Sequence, residues 1–177
     1  ARDAAFAAFA LQAARDAGAA ILPHFRAPID VEDKGGARGY DPVTAADRAA
    51  EAVIRDAVQL RYPDHGIEGE EHGRQAGTSR YTWVIDPIDG TRSFILGQMH
   101  WATLIAGSGG RDVLAGVAHQ PYVGESFVAM AGGGGWELSC EIFARAPRGP
   151  TFPVRCGRRS SGNRIICPAC RWPVWRQ

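Results

Sequence analysis

A layered α/β or α+β lobe is what this sequence predicts, on three observations. Two stretches of helical period lie before residue 62, about five short apolar runs separated by turn residues follow residue 66, and 177 residues suit one domain. In the first stretch Phe6, Phe9, Ala10, Ala13, Ala17, Ala20 and Ile21 recur at three- and four-residue steps, giving one apolar stripe over residues 4–25 with Pro23 near its end. Residues 30–39 are charged and carry glycines, so they read as a strand edge or mobile loop holding Glu32, Asp33 and Lys34. Thr44 stands three residues before Asp47, an N-cap arrangement, and Ala50, Val53, Ile54, Ala57 and Leu60 continue a second helix to Tyr62-Pro63-Asp64. Strands are then expected at 66–68, ending in Gly69-Glu70-Glu71, and at 81–85, ending in Asp86. Three more fall at 101–106, 113–119 and 126–130, with a turn over 107–112.

A net charge of +1 and an ordinary apolar content describe a soluble globular chain, with no apolar run near the twenty or so residues of a membrane span. Arg2, Asp3, Arg15 and Asp16 interrupt the alanine-rich start, which therefore lacks the apolar centre of a secretory signal. The expectation is a cytoplasmic protein with no membrane partner. The charge is unevenly spread: residues 1–141 hold all nineteen acids against twelve basic residues, whereas 142–177 hold eight arginines and no acid. The tail also holds Cys156, Cys167, Cys170, Trp172 and Trp175, with Cys140 just before it, and little apolar periodicity. Such a composition follows from reading a G/C-rich gene in a shifted frame, so the native frame is expected to end near Leu138. One Cys-x-x-Cys, at Cys167 and Cys170, lacks the second pair of a zinc site, and no recognition fold accompanies the arginines, so neither metal nor nucleic acid is expected to bind there.

The chemistry lies in three acidic stretches: Asp41-Pro42-Val43-Thr44-Ala45-Ala46-Asp47, Gly69-Glu70-Glu71, and Trp83 to Thr91 with its core Asp86-Pro87-Ile88-Asp89-Gly90-Thr91. Hard divalent cations take oxygen ligands, and Mg²⁺ binds one or two carboxylates plus waters and substrate phosphate. Pro87 is expected to break the strand into a turn that frees Asp86, Asp89 and the Ile88 carbonyl to converge. Gly90-Thr91 then offers closely spaced N–H groups to an anion. Singly, these stretches are an ordinary proline turn, a solvated glutamate pair and a capping box. Their order, each at the end of an element, favours one site.

At these residues the chain resembles the inositol monophosphatase-like family of Mg²⁺-dependent, lithium-sensitive phosphomonoesterases, whose Asp-x-Val-Thr-x-x-Asp, Glu-Glu and Trp-x-Ile-Asp-Pro-Ile-Asp-Gly-Thr signatures match Asp41 to Asp47, Glu70-Glu71 and Trp83 to Thr91. The resemblance implies the N-terminal lobe of that family's sugar-phosphatase fold over residues 1–137, two long helices on a mainly antiparallel sheet, with an atypical tail at 138–177. It implies that Glu70, Asp86 and the Ile88 carbonyl hold the Mg²⁺ that activates water, and that Asp86 with Asp89 holds a second near the leaving oxygen. Asp47 and Thr91 would orient the water, while Asp89, Gly90 and Thr91 grip the phosphate. Arg92-Ser93-Phe94-Ile95, Trp101 to Ala106 and His119-Gln120-Pro121 look closer to the histidinol-phosphate phosphatase branch, which implies histidinol phosphate as the small phosphomonoester, with inositol or other sugar phosphates open. A homodimer is open for full-length members. The family draws a further metal-binding Asp from a second lobe, and no Trp-Asp or Gly-Asp motif follows Met130. An inactive product that retains metal or phosphate binding is therefore the alternative to an enzyme.

Overall fold

The computed structural model describes residues 2–34, 40–110 and 112–131, together with the backbone of 137–140. Helix α1 (Arg2–Ile21) runs into a single 3₁₀ turn at Leu22–His24, where Pro23 sits in the first turn, a position that needs no N–H. Strands β1 (Val31–Asp33) and β2 (Pro42–Thr44) pair antiparallel, so the charged stretch takes the strand-edge option. Helix α2 (Ala45–Arg61) starts at the Thr44 N-cap. There follow β3 (Gly66–Gly69), β4 (Gly73–Gln75), β5 (Thr82–Asp89), the short α3 (Thr91–Ile95), β6 (Ala102–Ser108), β7 (Val113–Gln120), β8 (Glu125–Met130) and β9 (Glu137–Cys140).

Strands β3 to β9 form one sheet in the order β4-β3-β5-β6-β7-β8-β9, antiparallel throughout except that β3 and β5 run parallel. Its middle is a cross-strand ladder, Ile85 beside Ile105, Ile105 beside Val117 and Val117 beside Val128, all four buried. Both long helices cover that face: α1 packs on β6, β7, β8 and α2, and α2 packs on β5. The alanines of α1 at 10, 13, 14 and 17 are buried and let its backbone approach closely. At Gly18 the approach is closest, and a Cβ would meet the Pro121 ring at 2.8 Å. No described element covers the opposite sheet face, where Val84 and Phe127 are each 44% exposed.

Two expectations need correction. Helix α1 with its 3₁₀ turn does reach the length and composition of a membrane-crossing helix, because its apolar window holds only two charges, Arg15 and Asp16. Its stripe, Phe6 to Ile21, is instead buried against α2 and the sheet. Pro87 does not end the strand: β5 continues to Asp89 through a register shift between Asp86 and Asp89. The missing N–H is absorbed by that irregularity, and the Pro87 carbonyl accepts a hydrogen bond from the buried Thr103 hydroxyl at 2.8 Å. Strand β9 pairs with β8 over Glu137–Cys140, and residues 141–177, most of the expected atypical tail, lie outside the described residues.

Candidate active site

Parallel pairing of β3 and β5 sets Gly69 beside Ile85, so Glu70, just past the end of β3, and Asp86, within β5, are neighbours. The Glu70 N–H donates to the Ile85 carbonyl at 3.2 Å and continues the ladder into the turn. In a regular strand, residues three apart point to opposite faces. The register shift after Asp86 absorbs one residue, and the burial alternation slips there: Pro87 and Ile88 are both buried while Asp86 and Asp89 are not. Two aspartates that a regular strand would separate thus stay on one side.

Asp86 bears the consequence. Burial pushes its carboxyl up to about 7, helped by the charge of Glu70, a hydrogen bond shared with Glu70, and the charges of Asp89 and Asp47. Its Oδ1 atom is buried with no hydrogen-bond partner. A buried acceptor without a donor, among like charges, is the environment that a cation relieves. Among the described residues no three His, Cys, Asp or Glu side chains converge enough to enclose a metal unaided. Mg²⁺ does not need such a cage, since it keeps waters and uses one or two carboxylates. Asp86, with the charges of Glu70 and Asp89 beside it, fits that demand.

Asp47 sits at the other side. Its Oδ2 accepts from the Thr44 N–H at 2.8 Å and the Thr44 hydroxyl at 2.5 Å, while Ala46 N–H donates to that hydroxyl oxygen at 3.2 Å. The capping box is therefore real, and burial still pushes the Asp47 carboxyl up against the hydrogen bonds from Thr44. Its second oxygen, Oδ1, lies 3.4 Å from the Thr91 hydroxyl, which is 3.0 Å from the Ile88 carbonyl. One hydroxyl proton cannot serve both acceptors, so Thr91 is shared between α2 and the end of β5. Gly90, the α3 N-cap, adopts φ +94°, and a Cβ there would stand 2.5 Å from the His100 carbonyl oxygen. Only glycine fits this corner.

Three residues absent from the motif reading shape the glutamate turn. Lys34 reaches from the end of β1 to Glu71 at 2.7 Å and lies 3.9 Å from Glu70. Burial works against its charge, yet the bond to Glu71 and the charges of Glu71, Glu70 and Asp41 outweigh that and raise its pKa. Glu71 is not a solvated surface residue: its side chain is 4% exposed. On α2, fully buried Glu51 pairs with Arg55 at 2.7 Å and accepts backbone N–H groups from Glu71 and His72. A four-residue step from Asp47 to Glu51 was the available signal, because it places both acids on one helix face.

The sequence profile of the inositol monophosphatase family matches residues 3–151. The chain belongs to that family. It is 40% identical to a histidinol-phosphatase of Chlorobaculum parvum over 126 residues, which are 71% of this chain and 48% of that protein. It is 42% identical to the Nus factor SuhB of Salmonella typhimurium over 129 residues, 71% of this chain and 47% of the relative. Among solved structures, the extragenic suppressor protein SuhB of Bartonella henselae superposes with a TM-score of 0.71 at 30% identity, covering 76% of this chain and 52% of its own. The family assignment confirms the expected mixed α/β architecture. The chain spans about half the length of the curated relatives it matches.

Proposed function

We propose that this chain carries the Mg²⁺ and phosphate centre of a phosphomonoester hydrolase, with histidinol phosphate as preferred substrate and inositol or other sugar phosphates as the alternative. The orphaned Asp86 Oδ1 among Glu70, Asp89 and Asp47 is the observation that carries the reading. Glu70, Asp86, Asp89 and the Ile88 carbonyl would hold Mg²⁺, which when bound supplies a Lewis acid for phosphate oxygens and lowers the pKa of water. Asp47 Oδ1 and the Thr91 hydroxyl, 3.4 Å apart, would orient the attacking water, Asp47 accepting its hydrogen bond. The corner at Asp89, Gly90 and Thr91 would present backbone N–H groups to the phosphate where Gly90 leaves room. Likeness to a histidinol-phosphatase supports the substrate, and likeness to solved inositol monophosphatases keeps the inositol and sugar phosphates in view.

A binding protein without turnover is the second reading, favoured by the lack, among the described residues, of three His, Cys, Asp or Glu side chains grouped around one metal position. The deciding experiment measures phosphate release from histidinol phosphate and from inositol monophosphate, with and without Mg²⁺, beside a calorimetric Mg²⁺ titration. Mg²⁺-dependent release that disappears in Asp86→Asn supports the hydrolase. Binding without release selects the second reading, and neither binding nor release sinks both.

A further inference from the structure

Glu51 has no part in the reaction above, yet it is a fully buried carboxylate directly beneath the turn that bears Glu70. We propose that Glu51, seated by Arg55, is a positioning residue that fixes the turn after β3 so that the Glu70 carboxylate faces Asp86 where a divalent cation binds. The inference rests on the reading of Glu70 and Asp86 as ligands.

Each contact of Glu51 goes to that turn or to Arg55. Oε2 accepts the Glu71 N–H at 2.7 Å. Oε1 accepts the His72 N–H at 3.1 Å and the Arg55 Nε–H at 2.7 Å, and the His72 ring nitrogen Nδ1 lies 3.4 Å away. The far arm of the Arg55 guanidinium donates to the Gly73 carbonyl. Residues 71 to 73 are thereby held by one acid and one base on consecutive turns of α2. On the near side Gly69 completes the fit, since a Cβ there would fall inside the Glu51 carboxylate. Glu70 is the residue between these anchors, and its own side chain is 45% exposed with Lys34 no closer than 3.9 Å. Apart from the hydrogen bond it shares with Asp86, the direction of Glu70 comes from the backbone on either side of it.

Stability does not account for this arrangement. Desolvating an ion pair costs about as much as the pairing returns, and well-packed apolar residues often replace such a pair without loss. The helix needs no acid at Glu51, whose neighbours on the same face, Ile54 and Val58, are ordinary core residues. A buried charge that holds two successive N–H groups instead fixes one backbone geometry, as partners of metal-ligating groups commonly do. Asp47, Glu51 and Arg55 follow at four-residue steps, so one face of α2 addresses both the water side and the cation side of the site.

The test is Mn²⁺ binding to the full 177-residue chain, read from the electron paramagnetic resonance signal of free Mn²⁺. Each variant's thermal midpoint and amide exchange are measured alongside. Glu51→Gln keeps the volume but turns an amide NH₂ toward a backbone N–H. It is expected to weaken Mn²⁺ binding by about tenfold or more well below its own midpoint, with protection lost at the Glu71 and His72 amides and kept at Ile105. A lowered midpoint with unchanged affinity overturns the proposal and leaves Glu51 a packing residue. Should Glu51→Gln fail to fold, Arg55→Gln decides on the same criterion: weakened binding in a folded chain supports the role, and unchanged binding removes it. Asp86→Asn separates the two levels. Binding abolished there but untouched in Glu51→Gln refutes only the positioning role, whereas no Mn²⁺ uptake by the unaltered chain overturns the ligand reading and this inference together.

Discussion

Asp86 and His65 respond to pH in opposite senses. The Asp86 carboxyl is raised from 3.8 to about 7, by burial first and then by Glu70, Asp89 and Asp47. A carboxyl whose folded pKa exceeds its unfolded one contributes stability below the unfolded value and loses it as pH rises through the folded one. In chelator, the thermal midpoint should therefore fall between pH 3.8 and about 7 on account of Asp86, and added Mg²⁺ should restore it at the upper end. Asp86→Asn should flatten the dependence and erase the Mg²⁺ effect; a midpoint indifferent to Mg²⁺ above pH 7 in the unaltered chain contradicts this. His65 has its pKa held below 6.5 by burial, and its Nδ1 accepts the Trp83 indole N–H at 3.0 Å, so the ring is neutral with its proton on Nε2. A depressed folded pKa gives stability that is present above 6.5 and lost as pH falls through the folded value. Nuclear magnetic resonance titration of the His65 ring should place its midpoint below 6.5, and a higher midpoint would refute the buried neutral ring.

At the scale of elements, the Thr44 cap joins folding to the site. Thr44→Ala removes the first partner of the α2 N-terminus, which costs about 1 kcal/mol in caps of this kind. Because Asp47 loses a donor at the same time, phosphate release should fall further than stability, and Thr44→Ser should recover both in urea melts and assays. Gly90→Ala meets a left-handed φ and the His100 carbonyl, so a loss of at least about 1 kcal/mol is expected, and unchanged urea midpoints would show that the corner relaxes. The two helices were legible in sequence because long periodic segments average over many residues, and the Thr44 box because its spacing is fixed by hydrogen-bond geometry. Strand β4 was not, since Gly73-Arg74-Gln75 is wholly exposed and has no apolar pattern to read. The path of β5 through Pro87 was missed because a lone proline signals a break, and only the partner strand, through Thr103, reveals an accommodated irregularity. Acidic motifs identified Glu70, Asp86 and Asp89 as a set, but Glu51 and Lys34 depend on which helix face is buried and where β1 ends.

At the scale of the molecule, the described helices cover one sheet face and none of the described residues covers the other, where Val84, Ala106, Gly116 and Ala129 lie in register with Phe127 nearby. An open apolar face promotes association. Replacing Val84 and Phe127 together by threonine should reduce self-association in sedimentation velocity while changing stability by no more than about 0.5 kcal/mol each, as is usual for surface sites. Association that persists would locate the adhesive surface elsewhere.

Parallel pairing of β3 with β5 has one more consequence, which concerns how the chain folds. Glu70 follows β3 and Asp86 lies on β5, strands that no hairpin connects, so their carboxylates meet only after β5 has docked beside β3. A divalent ion that needs both would bind the native state and ignore the unfolded one, contributing about 2.7 kcal/mol at a hundredfold excess over its dissociation constant. The concentration of the ion would then set the fraction of chains that are folded. Stopped-flow traces should show Mg²⁺ slowing unfolding more than it speeds folding, provided the strand pair closes late; equal effects on both rates would place that closure earlier.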